Sequence, residues 1–212
     1  MDRIEIERMS SADLDAACEL IGLAFADNPN TLAVVRGDKD KAQRMMRAAV
    51  RAAKLGRKCS YVLVAKEGGR MVGVLNAAQW PSCQLSAGEK LRTAPVMIRT
   101  AGLALARSLK LMSVWAKQDP QKPHWHIGPI GVHPDFQGRG VGKAILKAFM
   151  HTVDEQASAA YLETDVDKNV ALYEKFGFKV TAQAEIMGIN NRFMWREVAS
   201  SGAQGIEQGG GE

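Results

Sequence analysis

Gln137-Gly138-Arg139-Gly140-Val141-Gly142 packs three glycines into six positions, directly ahead of the apolar periodicity of a helix. A helix start leaves its first N–H groups unpaired and carries the positive end of the helix dipole, so this is a place for an anion. Glycines let a diphosphate come close to such a backbone. Arg139 and Lys143 stand where cations can meet phosphates. The loop is not a Walker A motif, because the gap between its glycines is wrong and Ala144 follows Lys143 where Ser or Thr is required. Nor does it fit Gly-x-Gly-x-x-Gly: counted from Gly138 the third glycine position holds Lys143, and counted from Gly140 it holds Ile145.

Two further groups are spaced for joint action. Asn169 and Tyr173 are four apart on a short helix and therefore share one face. His124 and His126 alternate along a strand and also share a face, while Glu163 and Asp165 belong to the next strand. Histidine is the side chain whose ordinary titration lies near neutral pH, and His126 is the first candidate here for a proton acceptor.

The elements that must hold these residues follow from periodicity. Strand His124 to Val132, the glycine loop, and a helix with inner face Val141, Ala144, Ile145, Ala148, Phe149, Thr152 and Val153 come in that order, followed by strand Ala160 to Thr164. A strand-helix-strand crossover of this length makes the two strands parallel. A short helix, Asn169 to Phe176, ends at Gly177, and strands Phe178 to Met187 and Asn190 to Glu197 close the pattern. Upstream, Ile4 to Arg8 alternates as a strand does, and Ser10 with Asp13 resembles a capping box for a helix that Asp27-Asn28-Pro29-Asn30 stops. A second helix is predicted from Lys39 to Leu55. Ser60 to Ala65 and Arg70 to Gln79 read as a hairpin around Gly68-Gly69. Residues 84–119 read as a helical insertion in which Met97, Leu103, Met112 and Trp115 could line a pocket or pack in a core.

At the loop the chain resembles the GNAT superfamily of acyl-CoA-dependent N-acyltransferases, whose signature Gln/Arg-x-x-Gly-x-Gly/Ala is met by Gln137, Gly140 and Gly142. Val132 and Pro134 just before the loop, and Asn169 with Tyr173 followed by Phe176-Gly177-Phe178 after it, extend the likeness. The resemblance implies an α/β (α+β) fold: a mixed, mostly antiparallel sheet of about seven strands flanked by helices, with a central parallel pair splayed around the cofactor. It implies acetyl-CoA as acyl donor and an amine as acceptor, with no metal. It implies a bulge in the strand before the loop, which Gly128-Pro129-Ile130-Gly131 suits because proline cannot donate to a sheet ladder. Cofactor contacts would come from Ile130, Gly131 and Val132 on that strand, from Gln137, Gly138, Arg139, Gly140, Val141, Gly142 and Lys143 in the loop, and from Asn169 and Tyr173. By the same resemblance Tyr173 would protonate the departing thiolate. An attacking amine must be neutral, and His126 would be the base. Arylalkylamine acetyltransferases of the superfamily carry a His-x-His on this strand two residues nearer the loop, so only His126 matches one of theirs.

Bulk properties bound the reading. The 212 residues, 46% hydrophobic and 24% charged with mean hydropathy −0.17, suit one domain over residues 1–199 with a disordered glycine-rich tail at 200–212. No run reaches the roughly 18 apolar residues of a membrane span, and the charged N-terminus lacks an apolar signal core, so a cytoplasmic protein is expected. Cys18, Cys59 and Cys83 have no Cys-x-x-Cys spacing and read as reduced thiols rather than a disulfide framework or zinc ribbon. The net charge of +5 suits an anionic ligand as well as it would suit nucleic acid, and charge alone does not choose between them. Lys41, Arg44, Arg47, Arg51, Lys54 and Lys58 form a stripe at helical spacing, read as a solvated face because no interleaved aromatics support base stacking. The chain is expected as a monomer or homodimer that acetylates a small amine. Acetylation of a protein lysine or α-amino group, and acyl-CoA sensing without turnover, are the competing readings.

Overall fold

A computed structural model describes residues 3–199; the expected tail lies outside the described residues. Seven strands, β1 (Glu5–Arg8), β2 (Tyr61–Glu67), β3 (Arg70–Gln79), β4 (Trp125–Val132), β5 (Ala160–Thr164), β6 (Lys179–Ile186) and β7 (Ile189–Arg196), form one sheet in the order β1-β2-β3-β4-β5-β7-β6. Every neighbouring pair is antiparallel except β4 and β5. The mixed sheet read from the pattern is therefore present, with its parallel pair at the centre.

Alternation on β2 divides the core. Leu63 and Ala65 face one layer, where α6 (Val141–Glu155) buries Val141, Ile145, Phe149 and Val153 against Leu75, Trp125, Ile127 and Leu162. Val62 and Val64 face the other layer and meet Ala17, Cys18 and Ile21 of α1 (Leu14–Phe25). A three-residue turn of 3₁₀ helix precedes α1, with the reciprocal Ser10 and Asp13 capping box in place. Helix α3 (Lys39–Val50), continued by a π-helical turn Arg51–Leu55, lies close to α1 because Gly22 has no side chain: a Cβ there would sit 3.0 Å from the Gln43 carbonyl oxygen. Two cations of its basic stripe are paired across this contact, Arg47 with Glu19 at 2.8 Å and Arg51 with Asp15.

The segment Asp27 to Asn30 ends α1, as expected, but it also begins a helix that periodicity did not show, α2 (Pro29–Val35). Asn28 caps it by accepting from the Thr31 N–H at 3.0 Å, and Pro29 occupies the first helical position, where a missing N–H costs nothing. The insertion consists of α4 (Ala87–Ala101) and α5 (Leu105–Gln118). Leu103 is 92% exposed and Met112 47% exposed, so neither packs in a core; Trp115 donates from Nε1 to Asn191 Oδ1 at 3.0 Å. Among the described residues no helix is long and apolar enough to cross a membrane.

The last helix, α7 (Asp167–Glu174), follows β5, so α6 and α7 leave the sheet from the carboxyl ends of its two parallel strands. Beneath that end, Gly131 of β4 faces α1, where an added Cβ would lie 2.7 Å from Ile21 Cδ1 and 3.1 Å from Ala24 Cβ. Gly131→Val is expected to lower stability by about 1–3 kcal/mol through overpacking of this contact, measured by urea denaturation.

Candidate functional site

The glycine loop is built by backbone conformation. Gly138 and Gly140 have φ of +76° and +83°, and a Cβ at either would meet no atom within 4 Å. Their missing side chains leave open space above the turn instead of filling a packing contact. Gly140 is the N-cap of α6, and the first intrahelical bond runs from the Ala144 N–H to its carbonyl at 2.9 Å. The N–H groups of Val141, Gly142 and Lys143 therefore precede the helix's own ladder. Gln137 turns back and donates from Nε2 to the Val132 carbonyl at 3.4 Å. Lys143 is exposed, whereas Arg139 is held in a 2.6 Å ion pair with Glu67 and stacks 4.6 Å above the Phe136 ring.

Strand β4 supplies an open edge beside this loop. Leu75 of β3 pairs with Ile130, but Ala77 pairs with Ile127, so Gly128 and Pro129 together oppose the single residue Asn76. This is the bulge that the resemblance implied and that Gly128-Pro129 suits, and Asn76 Nδ2 secures it with a 2.8 Å bond to the Gly128 carbonyl. On its other side β4 pairs with β5 only at Trp125↔Ala160 and His126↔Tyr161. Past the bulge, Ile130, Gly131 and Val132 keep their β3 partners and have none on β5, so the parallel strands part as they approach the loop.

Helix α7 borders the same end of the sheet. Tyr173 is 8% exposed, its ring 6.1 Å from that of Phe178, with Asn169 one turn earlier. Burial, and then the negative charge of Asp165, push the Tyr173 hydroxyl above its ordinary value of 10. It is a protonated phenol at every physiological pH. Asp165 itself accepts from Asn28 Nδ2 at 2.8 Å and from the Asn30 N–H at 2.7 Å. It serves the start of α2, and is not an available base.

His124 and His126 share a face as alternation required, the face opposite Trp125 and Ile127. His126 Nε2 lies 3.0 Å from Glu163 Oε2, and its Nδ1 lies 3.4 Å from Asp119 Oδ1. Whichever nitrogen carries the lone pair turns it into this buried cluster and not toward open space, where the base role expected of His126 would need it. Burial works against its protonation, but Glu163, Asp119 and Cys83 outweigh this and raise it well above 6.5. His124 Nδ1 faces the Lys122 carbonyl at 2.7 Å, and its Nε2 lies 3.5 Å from Asp119 Oδ1. Cys83 belongs to the same cluster. Neither Cys83 nor Asp119 stood out in the sequence, where one is an isolated cysteine and the other a helix-ending Asp-Pro.

A concavity of about 890 Å³ lies between the last turns of α6 and strands β6 and β7. It shares no residue with the loop, the parted strands or Tyr173, so volume does not mark the site.

Comparison with known proteins places these features in context. The profile of the acetyltransferase (GNAT) family matches residues 29–178, which takes in the loop, both parallel strands and α7. A mycothiol acetyltransferase of Propionibacterium freudenreichii subsp. shermanii is 34% identical over 90 residues, which are 39% of this chain but only 29% of that protein. A Corynebacterium glutamicum structure described as histone acetyltransferase HPA2 and related acetyltransferase superposes with TM-score 0.65 at 18% identity, covering 94% of this chain and 98% of that one. A GNAT family acetyltransferase from Brucella melitensis in complex with acetyl-CoA superposes with TM-score 0.51 at 15% identity, covering 94% and 90%. At such identities the structural likeness establishes the fold.

Proposed function

The chain belongs to the GNAT acetyltransferase family, and from that premise we propose that it transfers an acetyl group from acetyl-CoA to a primary amine of a small molecule, by direct attack in a ternary complex. The observation that carries the reading is the meeting, at one end of the sheet, of an open glycine cradle, an unpaired strand edge and a buried phenol. The diphosphate of coenzyme A suits the N–H groups of Val141, Gly142 and Lys143, with Gln137, Gly138, Arg139 and Gly140 shaping the turn around it. Lys143 is free to add its charge. The backbone of Ile130 and Val132 offers peptide-like hydrogen bonds to the amide-bearing arm of the cofactor, and Asn169 borders its path.

In this reading the amine nitrogen bonds to the thioester carbonyl carbon and the carbon–sulfur bond breaks. Tyr173 gives its proton to the leaving thiolate, whose conjugate acid has an ordinary pKa of about 8.5, and the proton shed by the amine nitrogen, passed through water, restores the phenol. The phenol's burial keeps it protonated for this step. Glu67 and Arg139 form a pair that a phosphate could open, releasing a second cation toward the loop.

Calorimetric titration with acetyl-CoA, followed by a thiol-release screen against polyamines, aminoglycosides, arylalkylamines and lysine peptides, tests the proposal. Release with a small amine and not with peptides supports it. Release with peptides alone moves the assignment to protein acetylation, for which the acceptor surface would have to admit a chain. Binding with no release from any acceptor favours a sensor.

A further inference from the structure

We propose that Cys83, Asp119, His124 and His126 form a closed four-ligand site for a divalent transition metal, Zn²⁺ by the chemistry of the set. Sγ of Cys83, one carboxylate oxygen of Asp119 and one ring nitrogen of each histidine all lie within 4.8 Å of one another. The cluster is interior: Cys83 is 7% exposed, and the side chains of Asp119, His124 and His126 are 6%, 0% and 14% exposed.

The orientation of the rings argues for a cation. The Lys122 carbonyl faces His124 Nδ1 and can only accept, so that nitrogen carries a hydrogen. The Glu163 carboxylate likewise makes His126 Nε2 a donor. What remains are His124 Nε2, His126 Nδ1 and Asp119 Oδ1, three buried atoms without a hydrogen-bond partner, turned toward one another. Asp119 holds its other oxygen against Gln84 Nε2 at 2.7 Å, leaving Oδ1 uncommitted. A positive centre, a ring proton or a metal ion, is what holds these atoms 3.4–3.5 Å apart, and a metal ion can be held by all three at once. The outer bonds of three of the four ligands, histidine to carbonyl, histidine to carboxylate and aspartate to amide, are the supporting arrangement that fixes metal ligands in orientation.

Distances and charge agree. Zinc bonds of about 2.0–2.3 Å in a tetrahedron put ligand atoms about 3.3–3.8 Å apart. Asp119 Oδ1 lies 3.5 Å from His124 Nε2 and 3.4 Å from His126 Nδ1. Among the described residues Asp119 and Glu163, both 6% exposed, have ion-pair partners only in the two histidines, with no lysine or arginine. A thiolate, a carboxylate and two neutral imidazoles would be neutralised by one divalent ion. The mixture of sulfur, nitrogen and oxygen excludes magnesium and calcium, which take oxygen.

Four protein ligands leave no position for substrate, so the role is structural. Cys83 sits in the turn that leaves β3, and Asp119 ends α5, so the ion would fasten both ends of the α4–α5 insertion to the start of β4. This does not depend on the proposed reaction.

The test uses untagged full-length protein purified without chelator, with metal counted per chain by mass spectrometry. About one zinc per chain is expected. In chelator-stripped protein refilled with Co²⁺, tetrahedral d–d bands and a thiolate-to-cobalt charge-transfer band should arise together. Cys83→Ser should lose the charge-transfer band and at least tenfold of the metal retained on dialysis, while Cys18→Ser and Cys59→Ser keep both. Less than about a tenth of an equivalent of any metal in the parent, with no charge-transfer band on cobalt addition, would overturn the site. Those two parent measurements decide the matter even if Cys83→Ser does not fold.

Discussion

Tyr173→Phe is expected to lower kcat by about 10²–10⁴-fold, the range of a positioned general acid, while the Kd for acetyl-CoA stays within about threefold. The ring remains, so its packing against Phe178 and the core around it persists. Only the hydroxyl is lost, and with it the proton for the leaving thiolate. The same assignment fixes a pH dependence. Burial and Asp165 raise the phenol above 10, so the acid form is fully present through the neutral range and is lost only above that value. The parent enzyme should therefore show no alkaline fall in kcat attributable to Tyr173 below about pH 10. Stopped assays of kcat against pH, run beside Tyr173→Phe, check both statements. A variant with the parent's kcat would make Tyr173 a core aromatic and nothing more.

What could be read in advance was whatever local chemistry decides. The apolar, β-prone runs of β2 and β3 around Gly68-Gly69, the capping box at Ser10 and Asp13, and the glycines that enter α6 with positive φ all act over a few residues. The bulge was an expectation of the family resemblance, which Gly128-Pro129 suits because proline removes a donor whatever the fold. Helix α2 escaped because Asn28-Pro29 serves equally as a stop and as a cap with proline at the first helical position, and periodicity over seven residues is too short to separate the two. The two helices of the insertion were legible, but where their apolar residues point was not, and Leu103 and Met112 face outward. His126 looked like a base because spacing shows which face a strand residue occupies and not what waits across it. Its neighbours come from the end of α5, the turn after β3 and β5, and only closure of the chain brings Asp119, Cys83 and Glu163 to it.

Gly140→Glu should weaken acetyl-CoA binding by at least about 100-fold, close to 3 kcal/mol, with little loss of thermal stability. The position is the N-cap of α6 at φ +83°, a conformation that costs an ordinary side chain about 1–2 kcal/mol. A carboxylate at a helix N-terminus recovers part of that through the dipole, which is why the fold should hold. The same carboxylate then occupies the open space above the turn, where no protein atom lies within 4 Å of a Cβ, and it repels the diphosphate that the space is proposed to take. Arg139 cannot offset it while paired with Glu67. Gly140→Ala separates the two contributions: it carries the backbone strain without charge or bulk, so its loss in affinity should be at most about thirtyfold, the most that the strain alone could remove. Calorimetry on both variants, with circular dichroism melts as the control for folding, gives the answer. Equal and slight losses in the two would mean that the diphosphate lies away from the loop; a large loss confined to the glutamate places it against the first N–H groups of α6.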